Sequence, residues 1–218
     1  MNRRRIGGCD EVGFGAFFGP VVAACVVIEL SMEHLLIGAK VKDSKKVTSE
    51  KKRVLLSDFI KANAIAWGIG EASVAEIEMM GIDRASHLAM KRSVLALPQP
   101  PDGLIIDGLY EIPNLEIPQE AIVDGDELEP IISAASIVAK VYRDDLICKL
   151  SERYPDYDLA QNKGYGTPKH RATIAELGLT PSHRPLFCRK YSTKYNQNAI
   201  AHLKTGSDLS QAKNLSGD

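Results

Sequence analysis

At 218 residues, with a formal net charge of -1, 44% hydrophobic and 25% charged residues, the chain suits one large α/β domain with a sizeable core. No apolar run is both long and uncharged enough to cross a bilayer, and Asp10 and Glu11 interrupt the segment a signal peptide would need. A cytoplasmic protein without membrane attachment is expected. Cys9, Cys25, Cys148 and Cys188 form no CxxC pair and no zinc-finger spacing, which argues for buried free thiols rather than a disulfide framework or structural zinc. The near-zero charge supplies no bulk basic field for nucleic acid, although residues 3 to 5 and 40 to 53 are locally cationic.

In chain order, IGGCDEVG reads as a strand running into a glycine turn, and PVVAACVVIEL from Pro20 reads as a buried, β-branched strand. Together they predict a hairpin with the acids near its tip. A polar, lysine-bearing loop follows, then a helix with Thr48 or Ser49 as N-cap and Leu55, Leu56, Phe59 and Ile60 at helical spacing. AIAWGIGEAS predicts a strand, SVAEIEMMGIDRASHLAMKRSVLALP one or two helices ending at Pro98, and DGLIIDG a short buried strand ending at Asp107. After a loop rich in proline and acids, ISAASIVAKVYRDDLICKLSERYP predicts one long helix closed by Pro155 and carrying Asp144 and Asp145. Residues 162 to 185 read as a glycine-bearing loop, a short helix and a proline-flanked turn. Beyond Arg189 the pattern becomes polar, predicting a mobile tail or one weak helix.

Asp10 and Glu11 are neighbours in an extended segment, so their side chains point to opposite sides unless Gly13 and Gly15 twist the backbone. An isolated acid pair in a turn is more often simply solvated. Asp107 changes that balance, because carboxylates at strand ends of an α/β sheet converge on one crevice. Asp144 or Asp145 is available as a fourth acid, and an oxygen-only cluster suits Mg²⁺ or Mn²⁺ and two-metal phosphodiester chemistry.

The segments GCDEVGFG at residues 8 to 15, KDSKKVTSEKKR at 42 to 53, LIIDG at 104 to 108, IPQEAIVDGD at 117 to 126, ISAASIVAKVYRD at 132 to 144, NKGYGTPKH at 162 to 170 and PSHRPLF at 181 to 187 resemble, in order, the type 2 ribonuclease H family, ribonuclease HII. The resemblance implies a ribonuclease H-like α/β fold: a central mixed β-sheet flanked by helices, with a helical C-terminal portion from about residue 150 forming one wall of the groove. It implies a catalytic domain over residues 1 to 191 and a polar tail over 192 to 218. It assigns Asp10, Glu11, Asp107 and Asp144 to catalysis and to Mn²⁺ or Mg²⁺, leaving Asp145 a surface acid. Tyr165 is implied to stack on the sugar at the scissile junction, and Lys45, with Lys46 beside it, to approach phosphate.

The implied activity is endonucleolytic: hydrolysis of the RNA strand of RNA/DNA hybrids and nicking 5′ of ribonucleotides in duplex DNA, leaving 3′-hydroxyl and 5′-phosphate ends. Such cuts remove misincorporated ribonucleotides and RNA primers. The related type 3 specificity, a catalytically silent hybrid-binding protein and a small-molecule phosphatase are the alternatives. All four acids are present and no P-loop is, which disfavours the last two. A monomer is expected, and the tail lacks the paired aromatics of a clamp-binding motif.

The departure lies at Gly13-Phe14-Gly15, where the family carries Gly-Arg-Gly or Gly-Lys-Gly, followed here by Ala16, Phe17 and Phe18. Backbone reading of the 2′-hydroxyl survives such a change because the glycines permit close approach, but a phosphate-facing cation is lost. Reduced preference for a single embedded ribonucleotide is therefore expected, unless Phe14 packs under the loop and another cation compensates.

Overall fold

β1 (Arg5–Val12) and β2 (Val21–Glu29) form the expected antiparallel hairpin, with Asp10 opposite Ala24 and Glu11 opposite Ala23. The computed structural model describes residues 4–39, 41 and 49–192. β2 is buried along nearly its whole length, as a continuous β-branched run requires when both sheet faces are covered. β3 (Ala66–Ala72) pairs antiparallel with the far side of β2, and β4 (Gly103–Asp107) runs parallel to β1. The sheet is completed by β5 (Gln119–Ile122), parallel to β4, in the order β3-β2-β1-β4-β5.

β5 falls in the segment that the sequence predicts to be a loop rich in proline and acids. Four residues, QEAI, with no fully buried side chain give no alternation to detect, and the strand exists because β4 offers a free parallel edge. A one-turn helix, α5 in chain order (Gly125–Leu128), follows it.

Each sheet face carries one principal helix. α4 (Ile82–Leu95) sets Ala85, Ala89, Met90 and Val94 against Cys9, Ala23, Cys25 and Ile106. α6 (Pro130–Ser151) covers the other face, where Ile131, Ala135 and Val138 meet Ala24, Val26 and Ile28. Pro130 opens α6 where its missing N–H has no helical partner to lose. The short α1 (Glu33–Gly38) and α2 (Glu50–Asn63) flank it, contributing Leu36 and Ile60. On α2 the expected apolar face is only half realised: Ile60 is buried and Leu56 partly so, whereas Leu55 is 69% and Phe59 38% exposed. Ser49 occupies the N-cap position without a side-chain bond.

The one-or-two helices expected before Pro98 are two. α3 (Val74–Met80) starts with a reciprocal capping box between Ser73 and Glu76, and Gly81, at φ 84°, separates it from α4. Beyond α6, a 3₁₀ turn (Pro155–Tyr157) leads to α7 (Leu159–Asn162), α8 (Pro168–Leu177) and α9 (Pro185–Cys188). These close a third core of Phe18, Ile147, Tyr157, Leu159, Ile174 and Cys188. Among the described residues no helix is long and apolar enough to cross a membrane. Thr48, Lys45, Lys46 and the tail from residue 193, including the segment read for clamp binding, lie outside the described residues.

The α6–sheet contact leaves no room for a side chain at Gly8, where a Cβ would stand 2.5 Å from the backbone carbonyl carbon and oxygen of Ile131. Gly8→Ala therefore has to displace a helix rather than a side chain, and is expected to destabilise the fold by about 1–3 kcal/mol in urea unfolding.

Candidate active site

Strand alternation sends Asp10 and Glu11 to opposite faces of β1. Asp10 lies on the α6 side, with the Ser136 hydroxyl as neighbour, and Glu11 on the α4 side, facing Ser86. The glycines do not turn the two carboxylates to one face. What unites them is the end of the neighbouring parallel strand: Cys9 pairs with Ile106, so Asp107 follows where Asp10 follows. Asp107 Oδ1 in turn accepts a 3.2 Å hydrogen bond from the Asp126 N–H, which brings α5 back over the strand ends. The Ser133 hydroxyl of α6 donates to the Asp126 carbonyl and pins that turn.

The electrostatics register this convergence. Burial raises the Asp10 carboxyl well above its usual value, and Glu11, Asp107 and Asp126 push it further against the pull of Ser136. Burial and then Asp107 push Glu11 up to about 7, with Asp126 adding to the effect and Ser86 opposing it. Like charges gathered in a poorly solvated crevice produce this behaviour, and a divalent cation is its natural counter-charge. Among the described residues no three acidic, histidine or cysteine side chains already stand close enough to hold a metal ion. The donor chemistry nevertheless fits Mg²⁺ or Mn²⁺: carboxylate oxygens only, several negative charges, and no soft ligand.

Asp144 stands differently. It is buried on α6, but its Oδ1 is 2.8 Å from Lys140 Nζ, one turn back on the same helix. Among the described residues, Asp107 and Asp126 act on both Asp10 and Glu11. Asp145 is exposed and paired with Lys149 at 2.8 Å, as expected of a surface acid.

Next to Asp144, Arg143 is neither its salt-bridge partner nor exposed to a ligand. It is fully buried and donates to the carbonyls of Pro20 (3.1 Å), Lys163 (2.9 Å) and Phe18 (2.9 Å). Arg184, also fully buried, donates to Gly19 (2.9 Å), Gly13 (2.7 Å) and Phe14 (3.0 Å). Gly13 is required here twice over: its φ is 87°, and a Cβ would fall 2.1 Å from Arg143 Nε. Phe14 does not pack under the loop but is 41% exposed, whereas Phe18 is buried and the Phe17 ring covers Gly166. The cations beneath the turn are thus engaged by backbone.

The Tyr165 ring lies 5.3 Å from Lys140 Nζ and 5.4 Å from the Arg143 guanidinium carbon. The Tyr165 carbonyl accepts from Thr167 N at 2.8 Å and from His170 Nδ1 at 2.9 Å. Since a carbonyl only accepts, His170 carries its proton on Nδ1. The Thr180 N–H donates to His183 Nδ1, which leaves His183 Nε2–H to donate to His170 Nε2 at 3.1 Å. Burial and then the His170 neighbour hold His183 down at about 3, so this chain stays neutral and intact at physiological pH.

Sequence reasoning missed roles for Asp126, Arg143 and Arg184. Asp126 ends a segment whose motif was recognised, but its approach to Asp107 depends on β5 and the left-handed residue Asp124 (φ 54°), neither visible as periodicity. The two arginines sit in recognised motifs too; a cation there reads as surface until burial is known.

The ribonuclease HII family model matches residues 7–194. Ribonuclease HII of Acaryochloris marina is 50% identical over 183 residues, covering 84% of this chain and 92% of that protein. Among solved structures, ribonuclease H2 of Pyrococcus horikoshii superposes with a TM-score of 0.76 at 24% identity, covering 89% of this chain and 100% of that one. RNase HII of Archaeoglobus fulgidus, solved in complex with PCNA, gives 0.69 at 27% identity, over 82% of this chain and 93% of its own.

The raised Glu11 value has a stability consequence. Its folded value lies above the ordinary 4.5, so its contribution is fully present below about pH 4.5 and is lost as pH rises through about 7. In chelator, the thermal midpoint of Glu11→Gln is expected to fall less than that of the unaltered protein between pH 5 and 8, within the interval those values bracket.

Proposed function

Because the chain belongs to the ribonuclease HII family, we propose that it is a metal-dependent endonuclease that cuts the RNA strand of RNA/DNA hybrids and nicks duplex DNA 5′ of embedded ribonucleotides. The products carry 3′-hydroxyl and 5′-phosphate ends, and the role is removal of misincorporated ribonucleotides and RNA primers. The observation that carries this reading is the approach of Asp10, Glu11 and Asp107 at adjacent strand ends, with Asp126 on α5 donating its N–H to Asp107, and Glu11 pushed up to about 7.

In the proposed site these four carboxylates hold Mg²⁺ or Mn²⁺. When bound, the ions supply activation of a water and stabilisation of the leaving oxygen in an in-line displacement. The protein's own contribution is positional. Ser136 and Ser86 keep the Asp10 and Glu11 carboxylates oriented on their two faces. Tyr165, braced by Lys140 and Arg143, offers its ring to the sugar beside the cut. The Gly13–Gly15 turn brings backbone close to the 2′-hydroxyl, and Lys45 and Lys46 meet phosphate. Asp144 acts one step out, fixing the Lys140 ammonium that faces Tyr165.

Phe14 brings no charge to the turn, and the buried arginines do not replace the family's cation at its surface. Single-ribonucleotide preference is therefore lower than with an arginine at this position. Phe14→Arg is expected to raise affinity for a ribonucleotide-containing duplex and its cleavage relative to a continuous hybrid. Equal ratios for the two proteins would refute this.

The site assignment separates two acids. Asp126→Asn is expected to lower cleavage by roughly 100-fold or more and to weaken Mn²⁺ binding in calorimetric titration, as loss of a charged ligand does. Asp144→Asn is expected to leave Mn²⁺ binding closer to that of the unaltered protein. The reverse order would return the fourth ligand to Asp144.

A further inference from the structure

The turn that follows the acid pair is held by its carbonyls. Gly13 O accepts from Ala16 N at 3.2 Å, closing a four-residue turn with Phe14 and Gly15 at its centre. Arg184 Nη1 binds the same Gly13 carbonyl at 2.7 Å and the Phe14 carbonyl at 3.0 Å, while its Nε binds Gly19 O at 2.9 Å. A guanidinium is suited to this work because its donors lie in one rigid plane, and this one has no solvent exposure through which to relax.

In a trans peptide the C=O and the following N–H point in opposite directions. Drawing the Gly13 and Phe14 carbonyls toward Arg184 therefore turns the Phe14 and Gly15 N–H groups the other way. Both residues are exposed, and a Cβ built on Gly15 meets nothing within 4 Å, so that side is open. Neither N–H has a hydrogen-bond partner among the described residues. Two adjacent backbone donors thus face solvent, three and four residues past Glu11 of β1.

We propose that Arg184 is a positioning residue for substrate recognition: by holding the Gly13 and Phe14 carbonyls inward, it aims the Phe14 and Gly15 amides at an oxygen of the ribonucleotide. The inference rests on the ribonuclease reading above and adds a determinant of specificity that touches no substrate itself. Its chemistry explains how Phe14 is accommodated at the exposed centre of the turn: the turn's shape is set from below by Arg184, through carbonyls that every residue possesses. The opposite wall is fixed to the same frame, since Arg184 N also donates to Phe17 O at 2.7 Å, and the Phe17 and Phe18 amides both donate to Gly164 O, next to Tyr165.

The experiment is a binding measurement in chelator, where no cleavage occurs, by fluorescence anisotropy. The probes are a DNA duplex with one ribonucleotide and the all-DNA duplex of the same sequence. Arg184→Lys keeps a buried cation but has a single donor atom that cannot span three carbonyls. Phe14→Pro removes one of the two outward N–H groups while leaving Arg184 in place, and proline suits the second position of such a turn. Each variant is expected to lose about 3- to 10-fold of the preference for the ribonucleotide duplex, the worth of one or two neutral hydrogen bonds. For Arg184→Lys, Mn²⁺ affinity is expected to stay at the level of the unaltered protein, a readout that general disruption of the fold would move. Retention of the full preference by folded Arg184→Lys overturns the proposal. If that variant does not fold, Phe14→Pro decides it in the same way. Absence of any ribonucleotide preference in the unaltered protein would instead strike the ribonuclease reading, and the inference with it.

Discussion

The buried guanidinium of Arg143 is the interaction on which the arrangement of this molecule turns. A charge without solvent exposure is tolerated only where its donors are satisfied, and here the partners are the carbonyls of Pro20, Phe18 and Lys163, from segments distant in sequence. Those carbonyls belong to the turn after the acid pair and to the loop before Tyr165. Burial lowers the arginine's proton affinity, but from so high a starting value that it stays charged at neutral pH. One side chain, one residue before Asp144 on α6, thus couples the main sheet-covering helix to both loops that border the crevice.

Arg184 grips backbone carbonyls in the same way from the C-terminal side through Nε and Nη1, its Nη2 having no hydrogen-bond partner among the described residues, and the two arginines together hold carbonyls from residue 13 to residue 20. Because guanidinium groups bind backbone oxygen, side-chain identity along the turn is constrained mainly where space runs out. Gly13 is so constrained by Arg143; Phe14 is not, and stands exposed. The neutral histidine chain from Thr180 through His183 and His170 to the Tyr165 carbonyl extends the same frame without adding charge.

Against this rigid surround, the carboxylates at the strand ends are held in mutual repulsion. Asp10 and Glu11 are raised by burial and by one another's neighbours, and among the described residues no basic side chain relieves either of them. The basic residue nearest in the helix, Lys140, is committed to Asp144. A crevice with this imbalance gains from a divalent cation what it lacks in internal pairing, which is the physical basis for reading it as a metal-dependent catalytic centre.

The sequence by itself determined the hairpin, the long α6 helix and the strand that ends at Asp107, because each is written as local periodicity or β-branched burial that needs no distant partner. It also placed three of the converging acids, since strand ends carry their side chains wherever the sheet carries the strands. Tertiary structure alone decided the rest. β5 exists by pairing with a free edge, not by its own pattern, and through it the Asp126 N–H comes to lie against Asp107, while Asp144 pairs with Lys140 on α6. Leu55 and Phe59 show the same limit from the other side: their helical spacing is right, but among the described residues no surface meets that part of α2 closely enough to bury them. The roles of Arg143 and Arg184 are likewise invisible in one dimension, because a residue's charge is local whereas most of the carbonyls that permit its burial come from segments more than a hundred residues away.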